Sequence, residues 1–170
     1  MACALTTGFT LPCRDAVGGV KNIYLIELEN IDSYTESSGT VTAITKVSGK
    51  VFRKYVMEND VANFNETFTT NRQNGTVYYA QVLQMVINKL RAAVRNEIKL
   101  LAQNRLVAVV ETMDGSNWLL GKERGLMLST GTAASGTAMA DRSGYSIDLS
   151  ADEKEPMYEV ASGVISGLTT

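Results

Sequence analysis

The stretch Thr76-Val77-Tyr78-Tyr79-Ala80-Gln81-Val82-Leu83-Gln84-Met85-Val86-Ile87 decides which fold class this chain belongs to. Read with a period of two, Val77, Tyr79, Leu83, Met85 and Ile87 share one side, broken only by Gln81. Tyr78, Ala80, Val82 and Val86 populate the other. A helix could absorb the same run, because apolar residues occupy both parities. The β-branched and aromatic content favours a strand. So does the preceding sequence. Asn74-Gly75 is the strongest turn signal in the chain, and both residues tolerate the positive φ of a tight hairpin turn. Before it, Phe64, Glu66, Phe68 and Thr70 alternate with Asn65, Thr67 and Thr69.

Working outward, Asn22 to Glu29 sets Ile23, Leu25 and Glu27 against Tyr24, Ile26 and Leu28, a pattern expected of a strand covered on both faces. Asp32 to Gly39 reads as a loop. Thr40 to Val47 alternates, and Ser48-Gly49 predicts a hairpin returning through Val51 to Glu58. Asn88 is placed to cap a helix reaching about Asn104. Leu90, Val94, Ile98 and Leu101 recur at helical spacing, with Lys89, Arg91, Arg95, Lys99 and Gln103 on the other face. Leu106 to Met113 and Ser116 to Leu120 form a second hairpin about Asp114-Gly115. Gly121 and Gly125 bracket a charged tip, and Leu126 and Leu128 begin another strand. Thr130 to Gly136 is small and flexible in composition, Gly144 to Leu149 alternates, and Met157 to Ile165 supplies a last strand. The expected fold is mainly β, a sandwich or barrel with one flanking α-helix. It forms one domain over residues 1–170, with Met1 to Val20 as a polar, extended arm.

Composition narrows the function. The chain has 170 residues, 45% of them hydrophobic and 20% charged, with a net charge of −2. That excludes disorder and a polybasic DNA-wrapping protein. There is no histidine, which removes the commonest general base and most metal sites. No enzyme, cofactor or metal site is expected. Cys3 and Cys13 are too few for a disulfide framework; reduced thiols are expected, with a short bridged loop as the alternative. Nothing before Cys13 is basic, and no stretch approaches a membrane span, so a chain made in the cytoplasm is expected.

The remaining motifs are weak. Gly115 to Lys122 has the wrong spacing for a phosphate loop, and Glu123 replaces the hydroxyl residue such a loop requires. Asp152, Glu153 and Glu155, with Lys154 among them, read as a solvated turn. Trp118 reads as a core or interface anchor. The two-faced strands carry more weight. A sandwich covers one face of each sheet with its own core, so either other parts of the chain or neighbouring copies must cover the rest. Self-association through Phe52, Tyr55, Phe64, Phe68 and Tyr79 is the expectation.

The order of these pieces resembles virion structural proteins of tailed bacteriophages, of the tail tube type, especially in phages of Bacteroidetes. The likeness rests first on Leu11-Pro12-Cys13-Arg14-Asp15 followed by Gly18-Gly19-Val20-Lys21. It continues through the Asn74-Gly75 hairpin, the Asn88 to Asn104 helix and Leu106-Val107-Ala108-Val109-Val110. Near the end it rests on Asp114-Gly115, Trp118-Leu119-Leu120-Gly121, Gly125-Leu126, Gly136-Thr137-Ala138, Asp141, Gly144-Tyr145-Ser146-Ile147 and Glu155-Pro156. The resemblance implies a β-sandwich with a flanking helix that forms hexameric rings in the virion tail. Strands from six copies close an inner barrel, and rings stack around the DNA path. Its implied partners are other copies and tail proteins such as sheath, terminator and tape measure. Double-stranded DNA would be present only in transit, and no membrane is implied. On the residues themselves, strands such as Phe64 to Thr70 could turn Asn65, Thr67 and Thr69 toward a lumen, with the lumen-facing parity left open. Asp32 to Gly39, the turn at Gly49 and the arm would reach other rings. The alternatives are a head–tail connector or tail terminator ring, and a small β-domain binding a ligand or single-stranded nucleic acid.

Overall fold

The computed structural model describes residues 8–10 and 17–170. Cys3, Cys13 and most of the Met1 to Val20 arm lie outside the described residues. In chain order the strands are β1 (Val20–Glu27), β2 (Ile31–Ser37), β3 (Thr40–Lys46), β4 (Arg53–Val56), β5 (Asn63–Asn71) and β6 (Thr76–Asn88). Helix α1 (Ala92–Gln103) follows, then β7 (Leu106–Thr112), β8 (Asn117–Leu120), β9 (Met127–Ala134), β10 (Gly144–Glu153), β11 (Tyr158–Val160) and the one-turn α2 (Ser162–Ile165). They form a seven-stranded sheet ordered β2-β3-β11-β8-β7-β1-β4 and a four-stranded sheet ordered β5-β6-β10-β9. The mainly β fold with a flanking helix is as expected. No helix among the described residues is long and apolar enough to cross a membrane.

The long ambiguous run is a strand, because each of its residues finds a partner. Leu83 faces both Phe64 on β5 and Leu149 on β10, and Met85 faces Ile147. Leu83, Met85, Ile147 and Leu149 form one wall of the main core. Ile23, Leu25, Ala108, Val110 and Leu120 of the larger sheet form the other. Helix α1 closes the side with Leu101, and Ile98 packs beside it. Gln81, the one break in the alternation, is buried and joins the two sheets. Its Nε2 donates to Glu66 Oε1 at 2.9 Å, and its Oε1 accepts the Gly121 N–H at 2.9 Å. Gly121 must be glycine here, since a Cβ would lie 2.7 Å from the Leu126 nitrogen.

The opposite face of the larger sheet is also buried, within the same copy. Tyr24, Ile26, Val107, Val109 and Leu119 lie beneath Phe52, Leu168, Val164 and Ile165. Covering each such side chain contributes about 1.5–3 kcal/mol. Of the two alternatives for the second face of β1, the first holds: the chain's own C-terminal segment and Phe52 cover it, not a neighbouring copy.

Several local expectations also change. Asp32 to Gly39 is not a loop. It forms β2 and the Ser38-Gly39 turn, both at positive φ, of a hairpin with β3. As an edge strand exposed on most of its positions, it lacks apolar alternation. Ser48-Gly49 does turn, with the Lys50 N–H donating to the Val47 carbonyl at 3.0 Å, but it makes no hairpin. The chain crosses to the far edge of the sheet, where β4 pairs with β1. Asn88 does not cap the helix. It stays in β6 opposite Gly144 and donates to Glu58 at 2.8 Å, and α1 begins only after Arg91. Thr130 to Ala134 is not irregular but pairs with β10 as part of β9. The Met157 to Ile165 run divides into β11 and α2. Glu153 is not in a solvated turn. It is 3% exposed at the end of β10, and its carboxylate accepts the N–H groups of Glu123 and Arg124 at 3.3 and 3.0 Å.

Candidate self-assembly surface

The four-stranded sheet has one face in the main core, and among the described residues no helix or strand packs on the other, which residues 60–62 and Arg142 border at one end. Period-two geometry assigns Asn65, Thr67 and Thr69 of β5 to the outer face, with Tyr78, Ala80, Val82, Gln84 and Val86 of β6. Across β10 the same face shows Ser146, Asp148, Ser150 and Asp152. Asp148 and Asp152 are its charged residues. None of the four strands contains a lysine or arginine, although the chain has 16. Glu66 and Glu153 belong to the opposite parity and turn inward.

β5 and β9 are the outermost strands of this sheet, and among the described residues each has one row of backbone groups with no strand partner. Monomeric proteins usually protect such edges with lysine, proline or covering segments. β5 and β9 contain no lysine, arginine or proline, and β9 is exposed at every position except Leu128. A single bulge at Ser129 interrupts the β9–β10 ladder.

The β5–β6 hairpin also outreaches the sandwich. β6 has 13 residues, against 8 in β1, the longest strand of the facing sheet. At about 3.3 Å per residue the difference is roughly 16 Å. The projecting end carries Phe68 at 65% exposure, Val77 at 52% and Tyr78 at 42%.

The five residues expected to serve self-association separate accordingly. Phe68 and Tyr79 meet as a cross-strand, edge-to-face pair with ring centroids 5.4 Å apart. Phe64 is half-buried against the main core. Tyr55 is half-buried between β4 and α1, where its hydroxyl donates to Glu97 Oε1 at 2.7 Å. Burial first, and then the Glu97 carboxylate, pushes its pKa well above the ordinary tyrosine range. Phe52 is 1% exposed in the second core, and its N–H donates to the Leu168 carbonyl at 2.9 Å. Phe52 therefore serves packing within one copy and leaves the contact set. The sequence reading omitted Val77 and Tyr78 from that set. The available signal was strand length, since a strand longer than its facing sheet must expose its end.

Among the described residues, no group of three or more His, Cys, Asp or Glu side chains is gathered as a metal site. The largest concavities are open surface grooves. One of about 520 Å³ lies at one end of the outer face, lined by Asp60, Asn63, Gln84, Arg142, Ser146 and Asp148, and a smaller one of about 300 Å³ lies near the Gly18-Gly19 segment, lined by Ala62, Phe64 and Trp118. Comparison of the chain with protein families, curated proteins and solved structures gave no match.

Proposed function

We propose that this chain is a structural subunit of a bacteriophage tail tube, assembling into stacked hexameric rings around the path of DNA in the virion. The observation that carries the reading is the four-stranded sheet, whose two edge strands have no strand partner among the described residues and whose outer-face strands contain no lysine or arginine, with Arg142 alone reaching one end of that face beside Ser146 and Asp148. Copies joined edge to edge would satisfy the open backbone rows and turn that face inward. Six such sheets make a barrel of about 24 strands. At about 4.8 Å per strand and about 40° of tilt, the backbone diameter is about 48 Å. Side chains reaching about 5 Å inward leave a channel of roughly 38 Å, wide enough for a DNA duplex. A wall carrying Asp148, Asp152, Asn, Thr and Ser side chains repels phosphate weakly and does not grip it. The same lack of cations argues against a single-stranded nucleic-acid site on this sheet, which would need a basic groove.

The test is electron microscopy of purified protein over a concentration series. Tubes of indefinite length support the tail tube. Single rings that never stack assign the connector or terminator role. A chain that remains monomeric at millimolar concentration overturns the reading.

A further inference from the structure

Helix α1 carries its charges backwards for its own stability. Arg91 occupies the N-cap without a side-chain hydrogen bond, the first turn holds no acid, and the last turn holds no base. Helix N-termini are partially positive and favour acids, and Arg is a poor cap. Yet Lys89, Arg91 and Arg95 crowd this end. Arg91, Arg95 and Lys99 recur every four residues, forming one stripe about 12 Å long. From Lys89 to Arg105 the single acid is Glu97, which is turned inward to Tyr55. All five bases in that span are exposed, and among the described residues none makes an ion pair. A local rule broken this way, with no compensation inside the copy, marks a site shaped by something outside it.

The complementary surface is on the same chain. Glu27, Glu29, Asp32 and Glu36 lie within ten residues that contain no base, and all four are exposed. Of these only Glu36 is paired, with Lys122. The corner between β1 and β2 is thus acidic; it adjoins Arg105, whose carbonyl accepts the Leu28 N–H, but among the described residues no ion pair joins its carboxylates to Arg91, Arg95 or Lys99 within one copy.

We infer that the basic stripe of α1 in one copy docks against the acidic β1–β2 corner of a neighbouring copy. The inference rests on the self-assembly reading above and names the charged contact in it. The two surfaces differ, so the contact is heterologous, and every copy offers one of each to the next. Charge pairs of this kind fix register and reject wrong neighbours as well as adding affinity.

Charge reversal tests it. Arg95→Glu puts an acid near the positive N-terminus of the helix, and both side chains are exposed, so the fold should survive Arg95→Glu with Lys99→Glu, while the midpoint concentration for assembly should rise at least about tenfold. Glu29→Lys with Asp32→Lys should do the same. The chain with all four substitutions should assemble like the wild type, and an equimolar mixture of the two double variants should co-assemble. If the glutamates disturb the thermal melt, Arg95→Gln with Lys99→Gln is read instead, and its midpoint should also rise. A double variant that assembles at the wild-type midpoint, or a well-folded quadruple variant that fails, overturns the contact. So does duplex DNA binding by the wild type that disappears in Arg95→Glu with Lys99→Glu, which would assign the stripe to nucleic acid. A wild type that never assembles overturns the tail tube reading itself, whereas an assembling wild type indifferent to these charges overturns only this contact.

Discussion

Phe52 and Phe68 look alike in the sequence, each an aromatic in an alternating run, yet they have opposite tasks. Phe52 lies under the C-terminal segment against Tyr24, Ile26 and Val107, whereas Phe68 stands on the projecting hairpin beside Tyr79. Phe52→Ala should therefore cost about 3–5 kcal/mol in a denaturant melt. Phe68→Glu should leave that melt within about 0.5 kcal/mol, since an exposed position carries little stability, while blocking assembly measured by light scattering. Reversed effects would mean that the two rings have been assigned the wrong surroundings. Parity grouped residues 23 and 25 on one face, and 83 and 85 on one face, and the structure turns both groups into the main core. Parity could not say that Gln81, the exception, is buried to receive the Gly121 N–H, because that partner comes from a turn forty residues away.

Among the elements, β6 and the β7–β8 pair follow directly from local signals: alternation, turn residues and length. β2 did not, because only Ile31 and Tyr34 on it pack against the core, and their spacing of three leaves no period of two to reveal the strand. The start of α1 was misread for a related reason, since Asn88 is a good cap but is already held in the β6–β10 ladder. The C-terminal segment was hardest to read. Its four-residue helix has no periodicity, and its role is to seat Leu168 over the larger sheet. Lys46 on β3 holds it in place, donating to the carbonyls of Gly167, Leu168 and Thr170 at 2.8, 3.1 and 2.8 Å. Lys46→Met should cost about 1–2 kcal/mol. Hydrogen exchange should accelerate over residues 162–170 before it does in β7. Uniform exchange across both segments would show that the clamp is not local.

At the scale of the whole molecule, the two sheets differ in what they leave uncovered. The larger one is enclosed by the smaller sheet on one side and by the chain's own terminus on the other. Among the described residues, the smaller one keeps an outer face with no helix or strand packed on it and two edge strands with no further strand partner. If that face lines a channel, its lack of cations matters for passage. Gln84→Lys with Ser150→Lys should still form tubes, since both positions lie on the outer face away from the edges. Those tubes should retain duplex DNA in 50 mM salt and release it near 1 M, as expected for phosphate contacts that compete with counterions. Equal DNA retention by wild type and variant would mean that this face does not line the channel.

The amino-acid order by itself determined that this is a mainly β protein with a flanking helix, because strand parity and turn chemistry depend on neighbours a few residues apart, while the choice of two sheets came from the tertiary structure. It also held the backward charge of α1 and the cation-free strands in plain view. Only the tertiary structure decided which surfaces stay open. The covering pieces, residues 47–52 and 161–168, have no repeating pattern, and they reach the second face of the larger sheet through long-range connections. Burial on that face is a property of chain routing, which local periodicity does not encode.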